Sequence, residues 1–230
     1  MKILLVNPPY QTITSNYGVG HQVPLGLLMV GGPLIDAGHE VRLQDAECRR
    51  LGLREIGDEV RRWRPDVVMT GHAGSTPAHP TCIRMLGAIK ASSPAVVTVY
   101  GGVYPTYHAG RILADERAVD VIVRGEGEAT TLELVGALES GGHTSKGHLR
   151  QVAGLAFRDG EEVVVTGDRP PIVSVHPFFS RAAGIQVALA LQFRSVRLGI
   201  ASQDAGDRLD PTMSELRGLN GRIPSAIVLF

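Results

Sequence analysis

The sequence predicts a doubly wound α/β domain on a five-stranded parallel sheet, and three observations predict it. Five short runs rich in Val, Ile and Leu are apolar throughout rather than alternating, as strands covered on both faces are. Stretches long enough for helices separate them, as parallel crossovers require. Glycine-bearing loops follow the strands, on the side where such sheets bind their ligands.

The first run is Ile3 to Val6, stopped by Pro8-Pro9. A polar, glycine-bearing loop over residues 10 to 24 leads into a helix over Pro24 to Ala37, with Gly38 placed as its C-terminal stop. Val41 to Leu43 is the second strand. Glu55 to Trp63 has helical character with charge on one side, Pro65 ends it, and Asp66 to Thr70 is a third strand entering Gly71-His72-Ala73-Gly74. A helix over about Thr81 to Ala91 leads to a fourth strand at Ala95 to Tyr100, ended by Gly101-Gly102. Val119 to Val123 is the fifth. Glu126 to Leu138 is a helix whose early Glu126 and Glu128 suit its positive N-terminal end.

These elements complete a flavodoxin-like or Rossmann-like domain over residues 1–142. Residues 154–158 and 162–166, joined around Asp159-Gly160, read as a β-hairpin. With the linker Arg169-Pro170-Pro171 it fills residues 143–172. Periodicity fades over the tail, 173–230: Ile185 to Phe193 fits a strand or a buried helix, and Asp210-Pro211 fits the start of a short helix.

Composition narrows the function. The chain has 230 residues, one full domain and a remainder at about 150 residues per domain. It is 43% hydrophobic and 20% charged, enough for a packed core. Lys plus Arg equal Asp plus Glu at 23 each, so no net field gathers nucleic acid or anionic lipid, and neither is an expected partner. The run 24–35 is too short for a membrane span and holds three glycines. Cys48 and Cys82 are the only cysteines and form no C-x-x-C, which leaves no disulfide framework, zinc site or self-contained iron–sulfur cluster. A reducing cytoplasm is the expected compartment. Glycine, at 28 residues, is the clear excess, and suits close approach of backbone to a turn or ligand.

Five motifs occur in order: Val6-Asn7-Pro8-Pro9, Pro24-Leu25-Gly26-Leu27-Leu28, Ala37-Gly38-His39-Glu40-Val41, Tyr100-Gly101-Gly102-Val103-Tyr104-Pro105-Thr106 and Val123-Arg124-Gly125-Glu126-Gly127-Glu128. Together, over residues 1 to about 172, they resemble the cobalamin-binding domain that precedes a radical S-adenosylmethionine domain, as in enzymes like the anaerobic magnesium-protoporphyrin monomethyl ester cyclase. The resemblance implies a corrinoid ring on the carboxyl edge of the sheet, its nucleotide tail descending beside the strand ends. The residues it places there are Asn7, Pro8, Pro24, Leu25, Gly26, Thr70, Gly71, His72, Gly101, Gly102, Val103, Tyr104, Pro105, Gly125, Glu126 and Gly127.

On that reading a Cβ at Gly101 or Gly102 would take space needed by the tail, and free N–H groups there would bond its phosphate and ribose. Gly125 and Gly127 precede a helix, where exposed amides favour an anionic or polar ligand. Thr70 is expected to place its hydroxyl near the tail's benzimidazole, with strand capping as the alternative.

One departure bears on mechanism. Many cobalamin domains carry D-x-H-x-x-G, whose His binds cobalt from below; aligning its Gly with Gly26 puts Val23 at the His position. His21 stands two residues earlier, displaced from that place. The resemblance therefore implies cobalamin held without a lower imidazole, as in the radical-enzyme branch. His72, His79 and His108 fall on or near the ligand-side loops, where capping or surface roles compete with binding, and Asp45 is expected to bond its own loop.

A glycosyltransferase-like or other nucleotide-binding α/β domain is the alternative, prompted by the glycine-rich first helix, although such enzymes need a second similar domain. No G-x-x-x-x-G-K-[ST] loop or G-x-S-x-G elbow is present. Gly125-x-Gly127 has Thr130 where a dinucleotide fingerprint needs its third glycine.

The radical enzymes hold an iron–sulfur cluster and S-adenosylmethionine through a C-x-x-x-C-x-x-C loop, which this chain lacks: Val196-Arg197-Leu198-Gly199 follows Gln192-Phe193-Arg194-Ser195. Those two cofactors are expected only in a full-length relative. The expectation is a truncated, frameshifted or split member whose own activity is binding, with the radical domain missing or separate; a solitary corrinoid carrier is the other possibility.

Overall fold

The computed structural model describes residues 1–10, 23–72, 76–141 and 146–171. The expectations for the tail 173–230, for His21 and for Ala73 and Gly74 lie outside the described residues. Five strands, β1 (Lys2–Asn7), β2 (Glu40–Asp45), β3 (Val67–Thr70), β4 (Val97–Gly101) and β5 (Val121–Val123), run parallel in the order β2-β1-β3-β4-β5. The order reverses at β1, so the topological switch point lies between β1 and β3.

The expected hairpin forms from β6 (Leu155–Asp159) and β7 (Glu162–Val165), turning at Gly160 with φ +63°. It joins the same sheet instead of standing beside it, because Leu155, Ala156 and Phe157 pair antiparallel with β5. The sheet thus has seven strands, and β5 is no open edge.

Alternate strand residues point to opposite faces, and each face has its own core. On one, Ile3, Leu5, Val67, Met69, Val99 and Val123 meet helices α1 (Leu25–Asp36) and α5 (Gly127–Gly141). On the other, Leu4, Val6, Val68, Tyr100 and Ile122 meet α2 (Leu53–Trp63), α3 (His79–Ser92) and α4 (Val103–Asp115). Small buried residues Gly31, Gly32 and Pro33 let α1 lie close to the sheet, and Gly38 at φ +89° follows its end. Glu55 accepts a bond from the Gly52 N–H at 3.1 Å, closing the start of α2.

Helix α4 begins directly after Gly102, where the sequence suggests only a loop, and a short α6 (Lys146–Leu149) precedes the hairpin. Among the described residues no helix is long and apolar enough to cross a membrane.

Candidate ligand site at the carboxyl rim

The carboxyl ends of β1, β3, β4 and β5, with the starts of α1 and α5, enclose a cavity of about 330 Å³. Its floor is apolar: Met69, Val99 and Val123 rise from the strands, and Leu27 and Val30 come from α1. At the small end of ligand pockets, it matches a nucleoside-sized group rather than an entire corrinoid.

Of the residues singled out in the sequence, Asn7, Pro24, Leu25, Gly26, Thr70, Gly71 and His72 line this cavity, and so do Gly101, Gly102, Val103, Gly125, Glu126 and Gly127. Pro8, Tyr104 and Pro105 are not brought into the lining. Pro105 is buried in the first turn of α4, and the Tyr104 ring stacks between His79 and His108, with both centroids 4.3 Å away. The cavity also uses Val23, Leu27, Val30, Met69, Val99, Val123, Glu128 and Thr131, which the sequence reading did not assign to a site. Once a helix is known to cover one face, the period of two along each strand identifies Met69, Val99 and Val123.

The glycines differ in what requires them. At Gly71 an added Cβ would come within 2.8 Å of the Gly101 carbonyl oxygen, so the close approach of two strand ends excludes a side chain. Gly102 has φ +107°, a backbone state an L side chain rarely adopts. At Gly101, by contrast, a Cβ would meet only Val123, at 3.7 and 3.8 Å, and at Gly26 it would meet nothing within 4 Å. The protein itself tolerates side chains at these last two positions; leaving them bare keeps the cavity open. Gly102, expected to leave room for a ligand, is required first by its own backbone.

Two polar groups at the rim have partners within the protein. The Gly125 N–H is not free for an anion: Thr106 Oγ1 accepts from it at 2.9 Å and itself donates to the Gly102 carbonyl at 2.7 Å. One hydroxyl thus ties the two glycine corners together. The Thr70 hydroxyl donates to the Val6 carbonyl at 2.8 Å, cross-linking β3 and β1, which is the strand-capping role.

At the switch point, Asn7 is buried and its Nδ2 donates to Asp45 Oδ1 at 2.8 Å and to Glu47 Oε2 at 3.3 Å. Asp45 Oδ1 also accepts from the Cys48 N–H at 3.0 Å, so this acid bonds its own loop as expected. His72 Nε2 lies 3.2 Å from Glu47 Oε2, and the Tyr10 ring meets the His72 ring edge-on at 5.1 Å. Of the three histidines considered, His72 alone lines the cavity.

His79 and His108 belong to the opposite face. His79 Nδ1 is 3.3 Å from the Tyr100 hydroxyl, which contacts Cys82. Burial pushes the Cys82 thiol up to about 11, raises the Tyr100 phenol and lowers His79, so this packed cluster favours its neutral forms. Among the described residues no group of three or more His, Cys, Asp or Glu is placed to hold a metal ion.

The chain is 45% identical over 172 residues to an anaerobic magnesium-protoporphyrin IX monomethyl ester cyclase of Synechocystis, covering 75% of this chain and 34% of that one. It is 31% identical over 176 residues to the enzyme of the same name from Cereibacter sphaeroides, covering 76% of this chain and 28% of that one. The chain spans about a third of the length of these curated relatives.

Among solved structures, the radical S-adenosylmethionine methyltransferase TsrM from Kitasatospora setae matches with TM-score 0.60 and 22% identity, over 74% of this chain and 30% of that one. The cobalamin-dependent S-adenosylmethionine radical enzyme OxsB, with aqua-cobalamin and S-adenosylmethionine bound, matches with TM-score 0.58 and 16% identity, over 74% and 22%. At such identities these two show the fold. A model for the B12 binding domain matches residues 14–135, more than half of the sequence, and on that match the chain belongs to the B12-binding domain family.

Proposed function

We propose that this chain holds cobalamin at the carboxyl rim, its cavity receiving the nucleotide tail, as the corrinoid-binding part of a radical S-adenosylmethionine protein. The observation that carries the reading is the pair of positions, Gly26 and Gly101, where the protein could accommodate a side chain and leaves space in the cavity instead. The apolar floor of Met69, Val99 and Val123 suits a flat aromatic base, and the exposed Val23, Leu25 and Val103 at the mouth suit a large, partly apolar ring. Gly125-x-Gly127 follows β5 rather than β1 and has Thr130 in place of the third glycine of a dinucleotide fingerprint, which speaks against the dinucleotide alternative.

Cobalt would supply a methyl carrier or redox partner. The chain's own residues bind and shield. Val23, at the position of the axial His in other cobalamin domains, lines the cavity and has no metal-binding atom, so we propose binding without an imidazole from that position. The radical-generating half would come from another segment or another chain, in keeping with the third of the relatives' length that is matched. Sequencing the encoding DNA downstream tests this: no cysteine triad in any frame would reject truncation and frameshift and leave a split enzyme or solitary carrier.

The binding test is direct. Protein soaked with hydroxocobalamin and then desalted should keep corrin absorbance at about one per chain. A colourless protein overturns the proposal.

A further inference from the structure

The cavity wall holds a hydroxyl that the fold leaves unbonded. Thr131, one turn into α5, lines the cavity and is only 2% exposed. Inside a helix the ready partner for such a hydroxyl is the carbonyl four residues back. Thr106 bonds the Gly102 carbonyl in this way at 2.7 Å, and Ser140 bonds that of Gly136 at 2.9 Å. Thr131 makes no such bond to Gly127, and among the described residues its Oγ1 has no partner. Its neighbour Thr130 is engaged, by the Ala153 carbonyl and by Arg169.

The oxygen is also within reach. Glu128 Oε2 is partnerless and sealed from solvent, whereas Thr131 Oγ1 keeps accessible surface, which for so buried a lining residue is cavity surface. Gly127 leaves the approach clear: a Cβ there would stand 3.6 Å from Thr131 Oγ1 and 3.5 Å from Val123 on the floor. A hydroxyl turned into a pocket and left unbonded by the protein is costly unless the occupant bonds it.

We infer that the Thr131 hydroxyl hydrogen-bonds a ribose or phosphate oxygen of the nucleotide tail and so favours corrinoids that carry one. The inference rests on the cobalamin reading and names a contact within it. The cavity, at about 330 Å³, admits a nucleoside-sized group and not a corrin ring, so the part that reaches α5 is the tail. A hydroxyl both donates and accepts, so it serves either kind of oxygen. Thr70, the hydroxyl residue expected near the tail, has committed its own to the Val6 carbonyl. Thr131 supplies the missing one from the helix opposite.

The experiment titrates the parent, Thr131→Val and Thr131→Ser with hydroxocobalamin and with diaquocobinamide, which has the same ring and cobalt but no nucleotide tail. Retained corrin absorbance is the readout, and thermal melts of the ligand-free proteins check folding. Thr131→Val keeps the shape without the hydroxyl and is expected to weaken hydroxocobalamin binding about three- to tenfold, the range for one neutral hydrogen bond. Thr131→Ser should bind like the parent. Cobinamide should not distinguish the three proteins, including the case in which none retains it. If the Val variant does not fold, Thr131→Ala carries the same expectation. Parent-like hydroxocobalamin affinity without the hydroxyl, a Ser variant as weak as Val, or an equal loss with cobinamide overturns the inference alone. A parent that binds neither ligand overturns the cobalamin reading, and this inference with it.

Discussion

Tyr100 and Gly101 are adjacent on β4 and do opposite things to the two faces of one sheet. Tyr100 points toward α3 and is among the largest fully buried side chains; its ring lies 5.9 Å from that of His79, and its hydroxyl reaches Cys82. That face is filled to its carboxyl end. Gly101 points toward α1 and α5, where a Cβ would find only ordinary contact with Val123, and that face stays open as the cavity. The same strands at the same level therefore give a plug on one side and a socket on the other. The difference lies in one residue's side chain rather than in the backbone.

That contrast can be broken most sharply at the socket. Gly101→Leu places a branched side chain into the cavity with no left-handed backbone to strain, and should reduce hydroxocobalamin retention a hundredfold or more, on the order of the 3 kcal/mol that overpacking can cost. The ligand-free melting temperature should change little. Loss of fold together with retention would show that the space is structural. Gly102→Ala is a poorer probe, because its φ of +107° makes any side chain strained.

The plug responds in the reverse sense. Tyr100→Ala should cost roughly 3–5 kcal/mol of stability, as large aromatic-to-alanine changes in cores do, read by urea unfolding. The corrinoid affinity of the fraction that remains folded should fall far less than in Gly101→Leu. Comparable losses of affinity would mean that the two faces are coupled.

The smallest effect is a pH dependence. Cys82, on the plugged face, is raised to about 11 first by burial. Cys48, beside the switch point, is raised to about 11 by burial, with Asp45 and Glu47 adding to it. An unfolded chain ionises its thiols from an ordinary value of 9, so between about 9 and 11 the folded state binds more protons than the unfolded one. Stability should be unaffected by these groups below that window and should decline as pH rises through it. Melts of the parent and of Cys82→Ser across the window check this, the slope being shallower in the variant.

The parallel strands were legible because each is a compact apolar run, and the hairpin because Asp159-Gly160 is a strong turn signal. Helix α4 was not, since Gly101-Gly102-Val103-Tyr104-Pro105 resembles a loop; in fact Gly102 precedes the helix and Pro105 sits in its first turn, where a missing N–H costs nothing. The glycine rim of the cavity could be read from motifs. Its floor could not, because in a strand buried on both sides Met69 and Val68 look alike until the helices above them are placed. Glu128 was legible as charge at a helix start, whereas its place in the cavity wall depends on the packing around it.

The hairpin has a further effect on where the chain goes. Two successive reversals, β5 to β6 and β6 to β7, leave β7 running the same way as β5. Val165 therefore emerges at the level of the socket. From there Arg124 grips the Thr166 carbonyl at 2.6 Å and Arg169 reaches back to Thr130 on α5 at 2.8 Å, steering the backbone along the helix that carries Glu128. A detour of two short strands thus returns the polypeptide to the carboxyl side of the sheet and fastens it against the helix whose first turn lines the cavity.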